Sequence, residues 1–205
     1  WSTTQATRSF VNGRQYAVQA KSSDTAGNFT VTYSTFVWDT DRPVSVTTVP
    51  VTNSYVNAAY FNARGLSGTA SDPAYSEVAQ HGVPSCINRM DVGVRRLSDG
   101  RWWMQFTGDF NFGPQEAPYF DPDVAITVGS SCTASASWGY GVIPASKLTQ
   151  GASYYVVARA SDTSGLMETD FTSGVSTFTY DNVPPVSSIG VPLPGKYYNS
   201  LATLF

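Results

Sequence analysis

A chain of 205 residues with only 13% charged side chains, a net charge of −3 and a pI near 5.0 carries no basic stripe to follow a phosphate backbone, which argues against nucleic-acid binding. Its 14% aromatic content, with many Thr, Ser and Gly, suits an exported β protein with a neutral polar surface. One His, no Gly-x-Ser-x-Gly elbow, no phosphate-cradling Gly-Lys loop and no His-Glu-x-x-His leave little from which to build a nucleophile and its base, so an enzyme is not expected.

In chain order, Tyr16, Val18 and Ala20 alternate with polar residues up to Lys21, a period of two that predicts a strand with one core face and one wet face. Ser23-Asp24-Thr25-Ala26-Gly27 follows; Asp caps its own backbone and Gly tolerates positive φ, so the chain turns. Ser34 to Trp38 is the returning strand, completing a hairpin. The Asp72 to Gln80 stretch is a weak helix candidate, and helical periodicity is convincing nowhere. Met90, Val92 and Val94 form another alternating run, Asp99-Gly100 is a hairpin turn signal, and Arg101 to Phe106 reads as the strand coming back. Parity shifts between Val94 and Leu97, which predicts a bulge or a longer loop there. Tyr154 to Arg159, the Ser161-Asp162-Thr163-Ser164-Gly165 turn and Ser176 to Tyr180 then form a second hairpin like the first.

The likeness of the two hairpins is a sequence repeat. Gly13 to Gly27 returns as Gly151 to Gly165, a shift of 151 − 13 = 138 residues. Ser34 to Asp39 returns as Ser176 to Asp181, and Pro43-Val44-Ser45 as Pro185-Val186-Ser187, a shift of 185 − 43 = 142. Val49-Pro50 and Tyr55-Val56-Asn57 reappear as Val191-Pro192 and Tyr197-Tyr198-Asn199. A period near 140 in this length gives one complete unit, residues 42–182, between the C-terminal part of a preceding unit, residues 1–41, and the N-terminal strands of a following one, residues 183–205. A lone piece of two or three strands is marginal in water, so each partial unit needs a neighbour, either in one long tandem chain or in another copy.

About seven short strands per unit with hairpins and regular turns predict an all-β sandwich. Tyr16 and Tyr154 stand where such a sandwich places its tyrosine corner, or are ordinary half-buried tyrosines. The pattern Gly-x-x-Tyr-x-Val-x-Ala, Asp-x-x-Gly, then Thr-Phe-x-(Trp/Tyr)-Asp with a following Pro resembles the bacterial immunoglobulin-like repeats strung along very large surface and secreted proteins. Leu66 to Asp72 resembles that family's second strand and acidic turn, and Ser98 to Trp103 its central hairpin. The resemblance implies immunoglobulin-like or fibronectin-III-like sandwiches in tandem, a filament or cell-surface stalk with neighbouring repeats as partners, and an extracellular location; separately, no run of about 18 apolar residues occurs, so no membrane span is expected in this segment. A unit near 140 residues exceeds the usual sandwich of roughly 100; the excess lies in Gln80 to Cys86 and Gly108 to Ser137.

Those insertions hold both cysteines, Cys86 and Cys132, which in an exported chain read first as a disulfide and otherwise as two buried thiols. In such a sandwich Asp72 and Asp162 share a pole with the linker residues Asp39 and Asp41, an oxygen-rich group that suits Ca²⁺ with its roughly six to eight oxygen ligands. Similar repeats use calcium in this way; plain turn capping by Asp is the other reading. Trp103, Tyr119 and Phe120 are candidate contacts for a glycan or a protein, with core packing as the alternative, since alternation puts Trp102 and Trp103 on opposite faces.

Overall fold

The computed structural model describes residues 9–72, 85–120, 126–127 as backbone, 135–141 and 143–200. Among the described residues it is all-β apart from one short α-helix and a 3₁₀ turn at Ala145–Lys147, with strands β1 (Arg14–Ser23), β2 (Phe29–Trp38), β3 (Val44–Val49), β4 (Ser54–Val56), helix α1 (Ala58–Arg64), β5 (Leu66–Ser71), β6 (Ile87–Arg96), β7 (Arg101–Met104), β8 (Asp109–Phe112), β9 (Ile126–Thr127), β10 (Ser135–Tyr140), β11 (Ser153–Asp162) and β12 (Ser176–Tyr180). β1 and β2 form a two-stranded sheet of their own. The others form a three-stranded sheet, β10-β5-β3, and a larger one, β4-β12-β11-β6-β7-β8, with β9 also on β6.

These two sheets share one core. Period-two alternation sends Met90, Val92 and Val94 of β6 and Tyr154, Val156 and Ala158 of β11 into it, where they meet Leu66 and Ala70 of β5 and Trp138 of β10. Apolar area removed from water by such residues stabilises at roughly 25 cal/mol per Å². Within the core Tyr154 stacks on Phe178 with centroids 5.2 Å apart, and Phe178 faces Phe61 of α1 at 5.8 Å.

Helix α1 is absent from the periodicity analysis and corrects it. Its seven residues are too few to show a 3.6-residue period; instead the ends define it. Asn57 caps the start by accepting the Tyr60 N–H at 2.8 Å, and Gly65 closes the end at φ 58° with its N–H on the Phe61 carbonyl at 2.7 Å. The other helix candidate lies, beyond Asp72, outside the described residues.

The central hairpin also differs in detail. β6 runs unbroken to Arg96 and reaches β7 through the loop 97–100, longer than a two-residue turn, with the Gly100 N–H on the Arg96 carbonyl at 2.9 Å. Register shifts fall between Thr47 and Val49, between Trp102 and Trp103, and between Ser161 and Asp162. Trp102 and Trp103 do lie on opposite faces. Trp103 joins the shared core, whereas Trp102 is fully buried on the outer face of the large sheet, beneath residues 113–120. There the Trp102 indole N–H donates to the Gln115 carbonyl at 3.0 Å, Arg95 pairs with Glu116, and the Tyr119 carbonyl lies so close to Gly93 that a Cβ would meet it at 2.5 Å. Part of the enlarged region is therefore a second layer over the sheet.

The repeat extends to atomic detail. The Tyr154 hydroxyl accepts the Thr149 N–H at 2.7 Å, and the Tyr16 hydroxyl accepts the equivalent Val11 N–H at 2.7 Å. Gly151 and Gly13 each donate to the last residue of the returning strand, Tyr180 at 2.8 Å and Trp38 at 2.7 Å. Both tyrosines thus tie down the loop that precedes them. Their surroundings differ, for Tyr154 is wholly buried and Tyr16 half-buried. Removing the hydroxyl from Tyr154 takes the acceptor from a part-buried N–H, so Tyr154→Phe is expected to lower stability by about 1 kcal/mol in urea melts, with a smaller effect from Tyr16→Phe.

A seam joins residues 47–56 to residues 174–181. β4 runs parallel to β12 in the register Phe178 with Ser54 and Tyr180 with Val56. The seam is extended by Asn53 N–H to Thr177 O at 2.7 Å, Ser176 Oγ to Pro50 O at 2.6 Å, and Thr47 N–H to Gly174 O at 2.7 Å. Beyond it, residues 183–200 form no strand and lie exposed.

Candidate functional site

Three carboxylates from separate parts of the chain meet at one end of the sheets. Asp162 ends β11, Asp72 follows β5, and Asp39 follows β2 in the linker to β3. The ligand oxygens they offer all lie within 4.8 Å of one another. Asp72 and Asp162 are 4% and 1% exposed, and Asp39 is half-buried.

Local turn chemistry accounts for half of this arrangement. Asp162 Oδ1 accepts the Leu166 N–H at 2.9 Å and the Ser164 hydroxyl at 2.7 Å, closing a turn completed by Gly165 at φ 90°. Asp39 Oδ1 likewise accepts the Asp41 N–H at 3.1 Å. What turn capping leaves over is the second oxygen. Among the described residues, Oδ2 of Asp39 and Oδ2 of Asp162 are enclosed with no hydrogen-bond donor, and no Lys or Arg pairs with either residue. Two unit charges about 5 Å apart repel by roughly 3 kcal/mol at an effective dielectric near 20, and enclosure adds a desolvation cost. A hard divalent cation with oxygen preference removes both penalties at once. Three carboxylates are a donor set that fits a hard, oxygen-seeking cation such as calcium.

The hairpin turn at Asp24 shows the same fold of chain without the cluster. Asp24 Oδ1 accepts the Asn28 N–H at 2.9 Å, as Asp162 does from Leu166, and Asn28 contacts hold the Asp24 carboxyl below its ordinary range. Asp24 is exposed and stands apart from any such group among the described residues. Capping is thus common to both turns, while convergence belongs only to Asp162.

Of the four aspartates singled out in the sequence, Asp39, Asp72 and Asp162 come together and Asp41 does not. Asp41 instead accepts the Asn12 side-chain amide at 2.7 Å, which with the Thr40 N–H on Asn12 Oδ1 at 2.7 Å pins the linker to β1. Cys86 lies buried beside the Asp162 turn, its N–H on Thr163 Oγ1 at 3.2 Å and its carbonyl accepting the Thr163 N–H at 2.9 Å. Cys132, its expected partner, lies outside the described residues.

The three candidate contact aromatics separate. Trp103 is 4% exposed in the core, donating to the Tyr140 hydroxyl at 3.1 Å. Tyr119 stacks on Phe112 with centroids 3.7 Å apart, and Phe120 lies between Phe171 at 5.3 Å and the Arg159 guanidinium at 4.3 Å. Trp103 thus belongs to the core, while Tyr119 and Phe120 pack on neighbours and stay half-buried.

Sequence reasoning passed over Glu168. This buried carboxylate accepts the Ser45 N–H at 3.0 Å, the Ser45 hydroxyl at 2.6 Å and the Ala160 N–H at 3.2 Å, clamping β3 onto β11. Burial pushes its carboxyl above the ordinary range, against the pull of those donors. A lone Glu after a turn gives no signal in sequence, because its partners lie on two distant strands. Asp91 was likewise unmarked; it is 1% exposed and bridges Arg89 at 2.7 Å and Arg159 at 2.6 Å.

No family model matches the chain, and no curated protein matches it. Among solved structures it is similar to one described as a Ca²⁺-stabilized adhesin that helps an Antarctic bacterium reach out and bind ice, at 16% identity and a TM-score of 0.24. The match covers 85% of this chain and 33% of that one, so the chain spans about a third of the length of the structure it matches.

Proposed function

We propose that the chain is a structural segment of an extracellular filament or cell-surface stalk, built from immunoglobulin-like sandwiches in tandem and stiffened at the joint by Ca²⁺. Residues 42–182 are the complete unit, residues 1–41 end the unit before it, and residues 183–205 begin the next. Its work is mechanical and not catalytic. The observation that carries this reading is the convergence of Asp39, from the linker between units, with Asp72 and Asp162 of the complete unit. An ion held there ties the end of one unit to the body of the next, which fixes their angle. Support also comes from the atomic repetition of the hairpins and from the short Pro-containing linkers at Pro43 and Pro185. A disulfide between Cys86 and Cys132 belongs to the same proposal as a staple for the long insertions. The alternative, adhesion to a glycan or protein through the enlarged region, would rest on the half-buried rings of Tyr119 and Phe120, since Trp103 lies in the core.

Isothermal titration of CaCl₂ into the chelator-treated chain tests the joint. One ion per chain is expected, with the heat abolished in Asp72→Asn and preserved in Asp41→Asn. Absence of binding by the unmodified chain sinks the calcium joint.

A further inference from the structure

We infer that Asn12 is the positioning residue of the Asp39, Asp72 and Asp162 site: its side-chain amide grips the linker and, by engaging Asp41, leaves Asp39 to the cation. The inference rests on the calcium joint proposed above and deepens it.

The grip has three parts. Asn12 Oδ1 accepts the Thr40 N–H at 2.7 Å, Asn12 Nδ2 donates to Asp41 Oδ2 at 2.7 Å, and the next residue, Gly13, donates its N–H to the Trp38 carbonyl at 2.7 Å. Trp38, Thr40 and Asp41 are thereby tied to the start of β1, and Asp39 stands between held neighbours. Its Oδ1 closes a turn on the Asp41 N–H at 3.1 Å, while its Oδ2 is enclosed without a donor. The site it joins points to a ligand on separate grounds, since Asp162 is 1% exposed and its Oδ2 likewise meets no donor.

The molecule holds a second copy of this grip with a different outcome. Gln150 is the counterpart of Asn12: its Oε1 accepts the Asn182 N–H at 2.8 Å, and Gly151 donates to the Tyr180 carbonyl at 2.8 Å. Asp181, the counterpart of Asp39, closes the same turn by accepting the Val183 N–H on Oδ1 at 3.0 Å. Holding the linker backbone is common to both places; the destination of the amide nitrogen is not. Asp41 has Val183 as its counterpart, which offers no side-chain acceptor, and there Gln150 Nε2 donates to Asp181 Oδ1 at 2.6 Å. Where the third linker residue accepts, the amide goes to it; where it does not, the amide goes to the aspartate itself. A donor on that carboxylate competes with a cation for its lone pairs. The grip on Thr40 and Asp41 instead removes linker freedom that an arriving ion otherwise has to freeze, so the site is set before the ion enters.

Two substitutions at Asp41 remove the same charge and differ in whether a side-chain oxygen remains for Asn12. In titrations of CaCl₂ into the chelator-treated 205-residue chain, Asp41→Asn, which keeps that oxygen, is expected to bind as the unmodified chain does. Asp41→Val, which copies the second linker, is expected to bind about five- to tenfold more weakly, and Asn12→Ala to lose a similar factor. The double variant is expected to be no weaker than the weaker single one, because both changes break one grip. Amide exchange in chelator reads the grip without the ion: the Thr40 N–H is expected to be protected in the unmodified chain and in Asp41→Asn, and to exchange faster in Asn12→Ala. Asp41→Val binding as Asp41→Asn does, Asn12→Ala binding as the unmodified chain does, or losses that add in the double variant overturn the role of Asn12 and leave the calcium joint standing. A Thr40 amide already unprotected in the unmodified chain overturns the grip itself. An unmodified chain that takes up no calcium overturns the joint, and the role of Asn12 with it.

Discussion

Adding calcium to the chelator-treated chain is expected to raise its melting temperature by about 5 to 10 °C. A ligand at about one hundred times its dissociation constant stabilises by roughly 2.7 kcal/mol, and a domain of this size gains about 2 to 4 °C per kcal/mol. The informative comparison is Asp162→Asn. An asparagine keeps Oδ1 as the acceptor for Leu166 and Ser164, so the turn survives, while the enclosed charge on the other atom disappears. In chelator the variant is expected to melt above the unmodified chain, because one of three crowded charges is gone; in calcium the order is expected to reverse. Asp41→Asn, outside the cluster, is expected to respond like the unmodified chain. Equal calcium shifts for all three, measured by scanning calorimetry, exclude this site.

Glu168→Ala is expected to cost about 3 kcal/mol, read from the urea midpoint of the main transition. Truncation leaves the Ser45 and Ala160 N–H groups and the Ser45 hydroxyl facing a cavity, and each orphaned buried donor costs about 1 kcal/mol or more. The pH dependence carries a sign. Burial raises the Glu168 carboxyl above its ordinary range in the folded chain, which therefore binds that proton more tightly than the unfolded chain does. Its contribution is full below the ordinary Glu range and declines as pH rises through the raised one. The gap in stability between the unmodified chain and Glu168→Ala is accordingly expected to widen from neutral towards mildly acidic pH. A gap that narrows on acidification contradicts the assignment.

Strands and turns with local signatures were legible in the sequence. Tyr154, Val156 and Ala158 alternate because their neighbours on one face are all apolar, and Asp162 with Gly165 marks the turn because the conformation demands those two residue types. The repeat did further work, since it placed Tyr16 and Tyr154 in equivalent positions before either hydrogen bond was seen. The acidic cluster was legible only through the expected sandwich, whose loops share a pole; the sequence alone does not separate Asp39, which joins the group, from Asp41, which serves Asn12. Helix α1 escaped because a single turn or two is specified by its caps. The covering of Trp102 by residues 113–120 escaped for another reason: the contact depends on Gly93 admitting a distant backbone, and no periodicity records that.

The parallel seam between β4 and β12 decides how the unit meets tension. A pull applied through Arg42 at one end and Asn182 at the other drags the two strands past each other, so the bonds from Asn53, Ser176 and Asp181 stand crosswise to the load and share it. They yield together or not at all, whereas an antiparallel hairpin peeled from its open end yields one rung at a time. In the proposed tandem arrangement, this seam is expected to hold against stretching up to a threshold before it gives way.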